Sequence, residues 1–197
     1  MMYAFRICVS FPVLNKTNHV EPACHFLGNT MRKQLFATTF LLCCSHAYAQ
    51  EAVTIPDIMQ GHWVTLHHSL DGGAHTDACI VKTSGGALEF RADTHGSEIR
   101  TAAEDLSVSD GQKVPVTLAS GSSATDIAMV ALDHSTLRAP LTPSALNALL
   151  DTFGNAQTIT LRITGASDRN ISLTGSGIVL NGFRKCVTDN GFTVAKN

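Results

Sequence analysis

Alternation of hydrophobic and polar residues is the main structural signal in this chain after residue 50. In the clearest case, Ile159, Leu161 and Ile163 alternate with polar side chains. A period of two is typical of a β-strand that buries one face. Alternation and β-prone composition together predict about seven short strands. They cover residues 63–67, 77–83, 87–92, 114–118, 127–132, 158–164 and 170–174.

Two segments have helical spacing instead. Thr142 and Pro143 predict an N-cap followed by proline at the first helical position, and apolar residues then recur at helical spacing until Gly154. A second helix is predicted after residues 174–176. Strands and helices do not alternate in a βαβ order, so we expect an α+β domain. Its architecture is predicted as an antiparallel β-sandwich or a curled sheet with two helices.

Pro115 interrupts one predicted strand, residues 114–118. Proline has no N–H group to donate to a neighbouring strand. The sequence therefore predicts that this strand lies at an edge of the sheet or begins after Pro115.

Residues 31–49, MRKQLFATTFLLCCSHAYA, have the pattern of a secretory signal peptide. Arg32 and Lys33 precede a short apolar stretch, and the segment ends in Ala-Tyr-Ala, the small-residue pattern that signal peptidase requires. We predict cleavage after Ala49. The apolar stretch is shorter than the roughly 20 residues that span a bilayer, so no membrane span is expected after cleavage.

Residues 1–30 precede a signal that has its own methionine, Met31. We interpret them as an upstream extension outside the functional reading frame; the alternative is a long n-region or a pro-segment. The predicted mature protein is one β-rich domain, residues 50–197. Its predicted location is periplasmic or secreted.

The charge balance excludes one class of partner. The chain has 14 Lys and Arg against 16 Asp and Glu, a net charge of −2. The first 49 residues contain four basic and one acidic residue, so the remaining 148 have a net charge of −5. Binding of nucleic acid needs clustered basic residues that neutralise phosphates. The sequence has no such cluster, so we expect no nucleic-acid partner.

Two cysteines, Cys79 and Cys186, remain once residues 1–49 are removed. A pair of cysteines in an exported protein predicts a disulfide. Both cysteines share a face with apolar neighbours, so both are expected to point into the core. The alternative is two buried free thiols.

Histidines are the candidate ligands for a metal ion. His67 and His68 precede a predicted turn, and His75 follows it. Imidazole nitrogen binds Zn²⁺ or Cu²⁺, but neighbouring strand residues point to opposite faces, so only one of the first two can join His75. The spacing of known zinc motifs is missing. We therefore predict no cofactor, with Zn²⁺ or Cu²⁺ at these residues as the alternative.

The C-terminal stretch ISLTGSGIVLNGFRKC, residues 171–186, resembles the closing segment of two groups of proteins. These are small periplasmic or secreted proteobacterial proteins of the invasion-associated locus B type, and periplasmic accessory proteins encoded with type VI secretion systems. Trp63 and Cys79 match the early tryptophan-bearing strand and later cysteine of those families. The resemblance implies a non-catalytic β-sandwich exported from a Gram-negative cell, with a role in envelope or host interaction.

Candidate catalytic residues are not identified. The sequence has no G-x-S-x-G, Walker or dinucleotide motif. We expect an exported non-catalytic binding or accessory protein of the bacterial envelope, with an unknown protein partner there or outside. The alternatives are a histidine-based, divalent-metal-binding periplasmic protein and an unmarked hydrolase. A hydrolase should have a deep pocket with converging polar groups, and a binding protein should have an apolar patch or a bare strand edge.

Overall fold

A computed structural model describes residues 51–104 and 106–192. The predicted signal peptide and the extension before it lie outside these residues. The strands are β1 (Val53–Gln60), β2 (Trp63–Ser69), β3 (Ala78–Thr83), β4 (Glu89–Asp93), β5 (Gly96–Ala102), β6 (Lys113–Ser120), β7 (Ser123–Ala131), β8 (Thr136–Leu141), β9 (Thr158–Ile163) and β10 (Arg169–Ser172). The helices are α1 (Pro143–Asn155) and α2 (Ser176–Asp189).

All ten described strands belong to a single sheet. Their order is β1-β2-β3-β4-β5-β8-β7-β6-β9-β10, and each strand is antiparallel to its neighbours. The predicted α+β class is therefore confirmed. The sheet curls around the two helices and is not divided into the two layers of a sandwich.

The seven predicted strands are present, and β1, β5 and β8 are additional. In β1, six of the eight residues are exposed, so no apolar face marks the strand in the sequence. In β5, Ile99 is the one large apolar residue, and a serine, a glutamate and an arginine precede or follow it. Pro140 interrupts β8. β1 has no buried residue, and Ile99 is the one large apolar side chain that β5 buries. β8 does alternate, with Leu137 and Ala139 buried, but the alternation covers only six residues and includes a proline.

Pro115 lies within an interior strand that begins at Lys113, so both predicted alternatives, an edge strand and a strand that begins after Pro115, are wrong. β6 lies between β7 and β9. The Pro115 carbonyl accepts a hydrogen bond at 3.1 Å from the amide of Thr164, the residue just after β9. The N and C=O of one strand residue point to the same side. The proline nitrogen therefore also lies opposite Thr164, just beyond the last residue of β9. The missing N–H therefore breaks no hydrogen bond within the β9 pairing.

The ends of the sheet meet at one corner, which explains the curl. The Trp63 indole N–H, on β2, donates to the carbonyl of Ser172, on β10, at 2.8 Å. Nearby, Gly61 has φ of +59°, and a Cβ there would lie 2.6 Å from the carbonyl oxygen of Thr174. Glycine accommodates both the left-handed conformation and this close approach of the two chain segments.

The core fills the concave face, between the sheet and the helices. α2 packs on β1, β2 and β3, whereas α1 packs on β5, β8 and α2. Phe90 of the sheet and Phe153 of α1 contact each other edge to face, with ring centroids 5.4 Å apart. The buried Thr65 hydroxyl donates to the carbonyl of Val179 in α2 at 2.7 Å. Sheet and helices therefore share one hydrophobic core.

Helix α1 begins as predicted, because the Thr142 hydroxyl accepts a hydrogen bond from the amide of Ala145 at 3.2 Å. Helix α2 is joined to β3 by the cysteines, which lie at disulfide distance with 6.0 Å between the Cα atoms of Cys79 and Cys186. Neither helix has the length and apolar character needed to cross a membrane.

Candidate binding site

The predicted metal ligands on β2 face opposite sides of the sheet. His67 Nδ1 lies 2.7 Å from a carboxylate oxygen of Asp57. His68 Nδ1 lies 3.1 Å from the hydroxyl of Thr54. The register pairs His67 with the buried Cys79 and His68 with Ala78. These two imidazoles therefore have separate partners on separate faces.

The third predicted ligand, His75, contacts the carboxylate of Asp71 at 2.5 Å. This contact raises the pKa of His75 above its ordinary value, and the hydrogen bond from His75, followed by one from Ser69, lowers the pKa of Asp71 well below its usual range. The described residues contain no group of three His, Cys, Asp or Glu side chains placed to hold a metal ion. The structure does not bring the three predicted ligands together.

The same loop does not form a hydrolytic triad. The buried Ser69 hydroxyl donates to Asp71 at 2.7 Å, and Asp71 separates it from His75. In an acyl-transfer triad the histidine lies between the serine and the carboxylate, where it removes the serine proton. Here the carboxylate organises the turn by accepting the His75 amide as well, at 2.9 Å.

The outer edges of the sheet are protected against pairing with another chain. On β1, Pro56 lacks an N–H, and the register shifts between Pro56 and Ile58, which makes Asp57 the extra residue of a β-bulge. At the other edge, β10 has four residues. Prolines, bulges and short strands are common devices that prevent unwanted strand addition.

An unprotected strand edge lies inside the sheet, between β7 and β8. β7 pairs with β6 from Ser123 to Val130. It pairs with β8 through two residues only, Val130 and Ala131. Beyond them β8 continues along β5. Residues 123–129 therefore have no neighbouring strand on the β8 side within the described part of the chain.

The geometry of Pro115 shows which main-chain groups of β7 face this gap. Pro115 is paired with Ala128 and points its own carbonyl away from β7, towards the end of β9. In an antiparallel pair, two opposite residues either bond to each other through both main-chain groups or direct those groups away from each other. Because the main-chain groups of Pro115 point away from β7, the N–H and C=O of Ala128 point away from β6, towards the gap. The same holds for Asp126, two residues earlier. Both residues thus present a donor and an acceptor to the gap.

The β8 side of the gap has fewer main-chain groups available for hydrogen bonding. The Thr136 carbonyl accepts the Leu132 amide at 2.8 Å, so the main-chain groups of Thr136 face the β7 side. Alternate residues along a strand face the same way, which directs Pro140 into the gap. Proline supplies a carbonyl acceptor there but no donor. The open edge with both kinds of group belongs to β7.

The gap forms a groove of about 460 Å³. Helix α1 closes it on the concave side, and its lining is dominated by alanines and larger apolar side chains. The lining residues are Thr125, Asp126, Ile127, Ala128, Ala139, Pro140, Leu141, Ala145, Ala148, Leu149 and Thr152. Leu149 is buried beneath the groove, whereas Ala148 and Thr152 are exposed on its rim.

Asp126 is the charged residue among these lining residues. It is exposed, and its carboxylate accepts a hydrogen bond from the hydroxyl of Thr117 on β6 at 2.6 Å. Among the described residues no Lys or Arg forms a salt bridge with it, whereas Glu98 on β5, on the other side of β8, pairs with Arg100 and Arg138. Asp126 therefore gives the rim of the groove an unbalanced negative charge.

A second groove, of about 170 Å³, lies between α1 and α2. It is lined mainly by apolar core side chains, together with Arg184, which forms a salt bridge with Asp151 across the two helices. The Nε of Arg184 is buried without a hydrogen-bond partner. This groove is a seam of helix packing and gathers no set of acid, base and nucleophile.

Comparison with models of protein families, with curated proteins and with solved structures finds no match to this chain. The groove beside β7 was not predicted from the sequence. The one signal for it is that Ala145, Ala148 and Thr152, at helical spacing, place small side chains on one flank of α1.

Proposed function

We propose that this protein is an exported, non-catalytic binding protein of the bacterial envelope, periplasmic or secreted, whose ligand is another protein. One observation carries the proposal: the open edge of β7 lies over an apolar groove. Unpaired strand edges and exposed apolar surface are both features of interaction sites.

The chemistry of the groove favours binding over catalysis. A catalytic site brings together acids, bases, nucleophiles or charged stabilising groups around a reacting atom. The groove lining has one carboxylate, Asp126, and otherwise aliphatic, proline and threonine residues. Such a lining can hold apolar side chains and form main-chain hydrogen bonds, and both interactions contribute to affinity without bond cleavage.

The proposed location depends on two further features. Residues 31–49 have the pattern of a signal peptide. The cysteine pair on β3 and α2 lies at disulfide distance, which fits an oxidising compartment such as the periplasm. The resemblance of residues 171–186 to exported envelope proteins agrees with this location.

Photo-crosslinking in intact cells that encode the protein tests the proposal. A photo-crosslinking amino acid replaces Ala128 at the groove, and in a control variant it replaces Ser84, an exposed residue in the turn between β3 and β4. We expect the protein in the envelope or medium with residues 1–49 removed. We also expect a crosslinked protein of one defined mass from position 128 and not from position 84.

Two results would contradict the proposed function. One is recovery of the protein from the cytoplasm with residues 31–49 still attached. The other is the same set of products from both positions, or from neither, because a binding groove must distinguish position 128 from position 84.

A further inference from the structure

We propose that the groove binds an extended peptide, which adds to β7 as an antiparallel strand. In this arrangement, small apolar side chains of the peptide point towards α1, and a Lys or Arg lies opposite Asp126. This ligand class rests on the proposed binding function and specifies the chemistry of the partner.

The main chain of β7 carries the first step. Asp126 and Ala128 direct N–H and C=O groups into the gap, and no strand of the described chain pairs with them there. An extended peptide supplies donors and acceptors at the matching spacing of two residues. Strand addition of this kind obtains its affinity from main-chain hydrogen bonds. The side of the gap formed by Pro140 lacks an N–H, so the peptide pairs chiefly with β7.

The floor of the groove sets the size of alternate peptide side chains. In β7, Met129 and Ala131 are buried in the concave core and Ile127 is half-buried, whereas Asp126 and Ala128 are exposed. An added strand follows the same alternation, so every second side chain points towards α1. Ala145 and Ala148 line the groove there, with Leu149 beneath them. We therefore expect alanine or valine at those peptide positions.

The charge of Asp126 sets the chemistry of the opposite peptide face. Residues directly opposite each other in an antiparallel pair share a face, and opposite charges there stabilise the pair. The carboxylate of Asp126 is exposed on the convex face and has no cationic partner among the described residues. The predicted mature protein also has a net charge of −5, which favours a basic ligand at longer range.

The probe is the blocked peptide TATVKVTAT, whose lysine shares a face with threonines and whose other face has alanine and valine. It is titrated into ¹⁵N-labelled protein recovered from cells that express the full chain. We expect the backbone amide signals of residues 124–129 to shift first. A peptide N-methylated at the lysine should bind more than about tenfold more weakly, because that residue pairs with Asp126 through the main chain.

Two matched variants of α1 test the side of the groove that this helix forms. Ala148→Trp fills the groove with an indole, and we expect affinity for the peptide to fall by more than about tenfold. Asn147→Trp places the same side chain on the other flank of α1, where Asn147 lines the seam with α2. That variant should bind the peptide as the wild type does. Unchanged circular dichroism of both variants shows that they fold.

A charge exchange tests the contact with Asp126. Asp126→Lys should weaken binding of the lysine peptide about two- to fivefold, the range for a cross-strand pair of charges. The same variant should bind a peptide with glutamate in place of lysine better than the wild type does. A nonspecific apolar interaction would not produce this reversal.

The inference is overturned if the amide shifts map to β1 or to the seam between α1 and α2. It is also overturned if the N-methylated peptide binds as well as the parent, or if the parent does not bind at millimolar concentration. A specific crosslink from position 128 in the envelope together with no peptide binding would reject the extended-peptide class alone. The proposed binding function would remain in that case.

Discussion

Two regions of the same sheet differ in whether their strand edges are protected against pairing with another chain. In the closed region, β1–β3 and α2, a cysteine pair joins sheet and helix, Trp63 bonds to the far end of the sheet, and a bulge with Pro56 protects the outer edge. In the open region, β7, β8 and α1, two strands diverge, and no other strand of residues 51–104 and 106–192 pairs with residues 123–129 on that side. The comparison indicates that a protein can protect its outer edges and still keep one inner edge available for a ligand.

Loss of the cysteine pair should destabilise the closed region strongly. The two cysteines are 107 residues apart in sequence. In the chain-entropy model a closed loop of this size stabilises a fold by about 4–5 kcal/mol. Cys79→Ser should lower the free energy of unfolding by up to this amount in a denaturant titration. Reductant should lower the wild type similarly and leave the variant unchanged; equal midpoints for variant and oxidised wild type would show that the covalent link does not stabilise the closed region.

A second prediction concerns two glycines with positive φ. It separates the cost of a steric clash at the corner of the sheet from the cost of placing any other residue in the left-handed conformation. Gly111→Ala introduces a Cβ into open space at φ +78° and should cost about 1–2 kcal/mol. Gly61→Ala has the same kind of backbone strain, and its Cβ also meets the Thr174 carbonyl oxygen at 2.6 Å. Thermal unfolding should therefore show a larger loss for Gly61→Ala. Equal losses would mean that the ends of the sheet do not meet there.

A third prediction concerns pH and the loop after β2. Asp71 has a lowered pKa in the folded protein, so its contribution to stability is present above about pH 3.8 and is lost as the pH falls through the lowered value. The raised pKa of His75 has the opposite sign: its contribution is present below pH 6.5 and is lost as the pH rises through the raised value. NMR titration of His75 should give a pKa that falls towards its ordinary value in Asp71→Asn. An unchanged pKa would reject the pairing.

Metal ions should change the stability of the protein little. His67, His68 and His75 contact Asp57, Thr54 and Asp71, respectively. A site filled at a hundred times its dissociation constant would stabilise the fold by about 2.7 kcal/mol. We expect Zn²⁺ and Cu²⁺ to give no such melting shift. A shift that His68→Ala or His75→Ala abolishes would instead support the metal-binding alternative.

The sequence predicts structure best where residues bury one apolar face. Ile159 and Leu161 of β9 are almost fully buried, and their alternation identifies the strand. β1 and β5 are recognised only through their neighbours, because they contribute few apolar residues to the core. β8 buries Leu137 and Ala139, but its short alternation includes a proline, which argues against a strand. The predicted interaction of Thr142 with the start of α1 is local, within three residues, and it is confirmed.

The groove could not be predicted from the pattern of residues, because it forms where the pairing of β7 with β8 ends. Nothing in residues 123–129 records that β8 leaves β7 after two paired residues. Pro140 and Pro115 indicate the position of a strand in the sheet only when the side to which their nitrogens point is known. Sequence gives the residue types of the groove, such as the alanines on α1, but the topology brings them together.

Hydrogen exchange along β7 distinguishes an open strand edge from a paired one. The open edge requires an alternation: the amides of Thr125 and Ile127 bond to β6, whereas those of Asp126 and Ala128 face the gap. In the unliganded ¹⁵N-labelled protein we predict slow exchange for the first pair and fast exchange for the second, with protection of the second pair when the peptide is added. Equal protection of all four amides without a ligand would show that the edge is already paired, and the account of the groove as a binding site would be wrong.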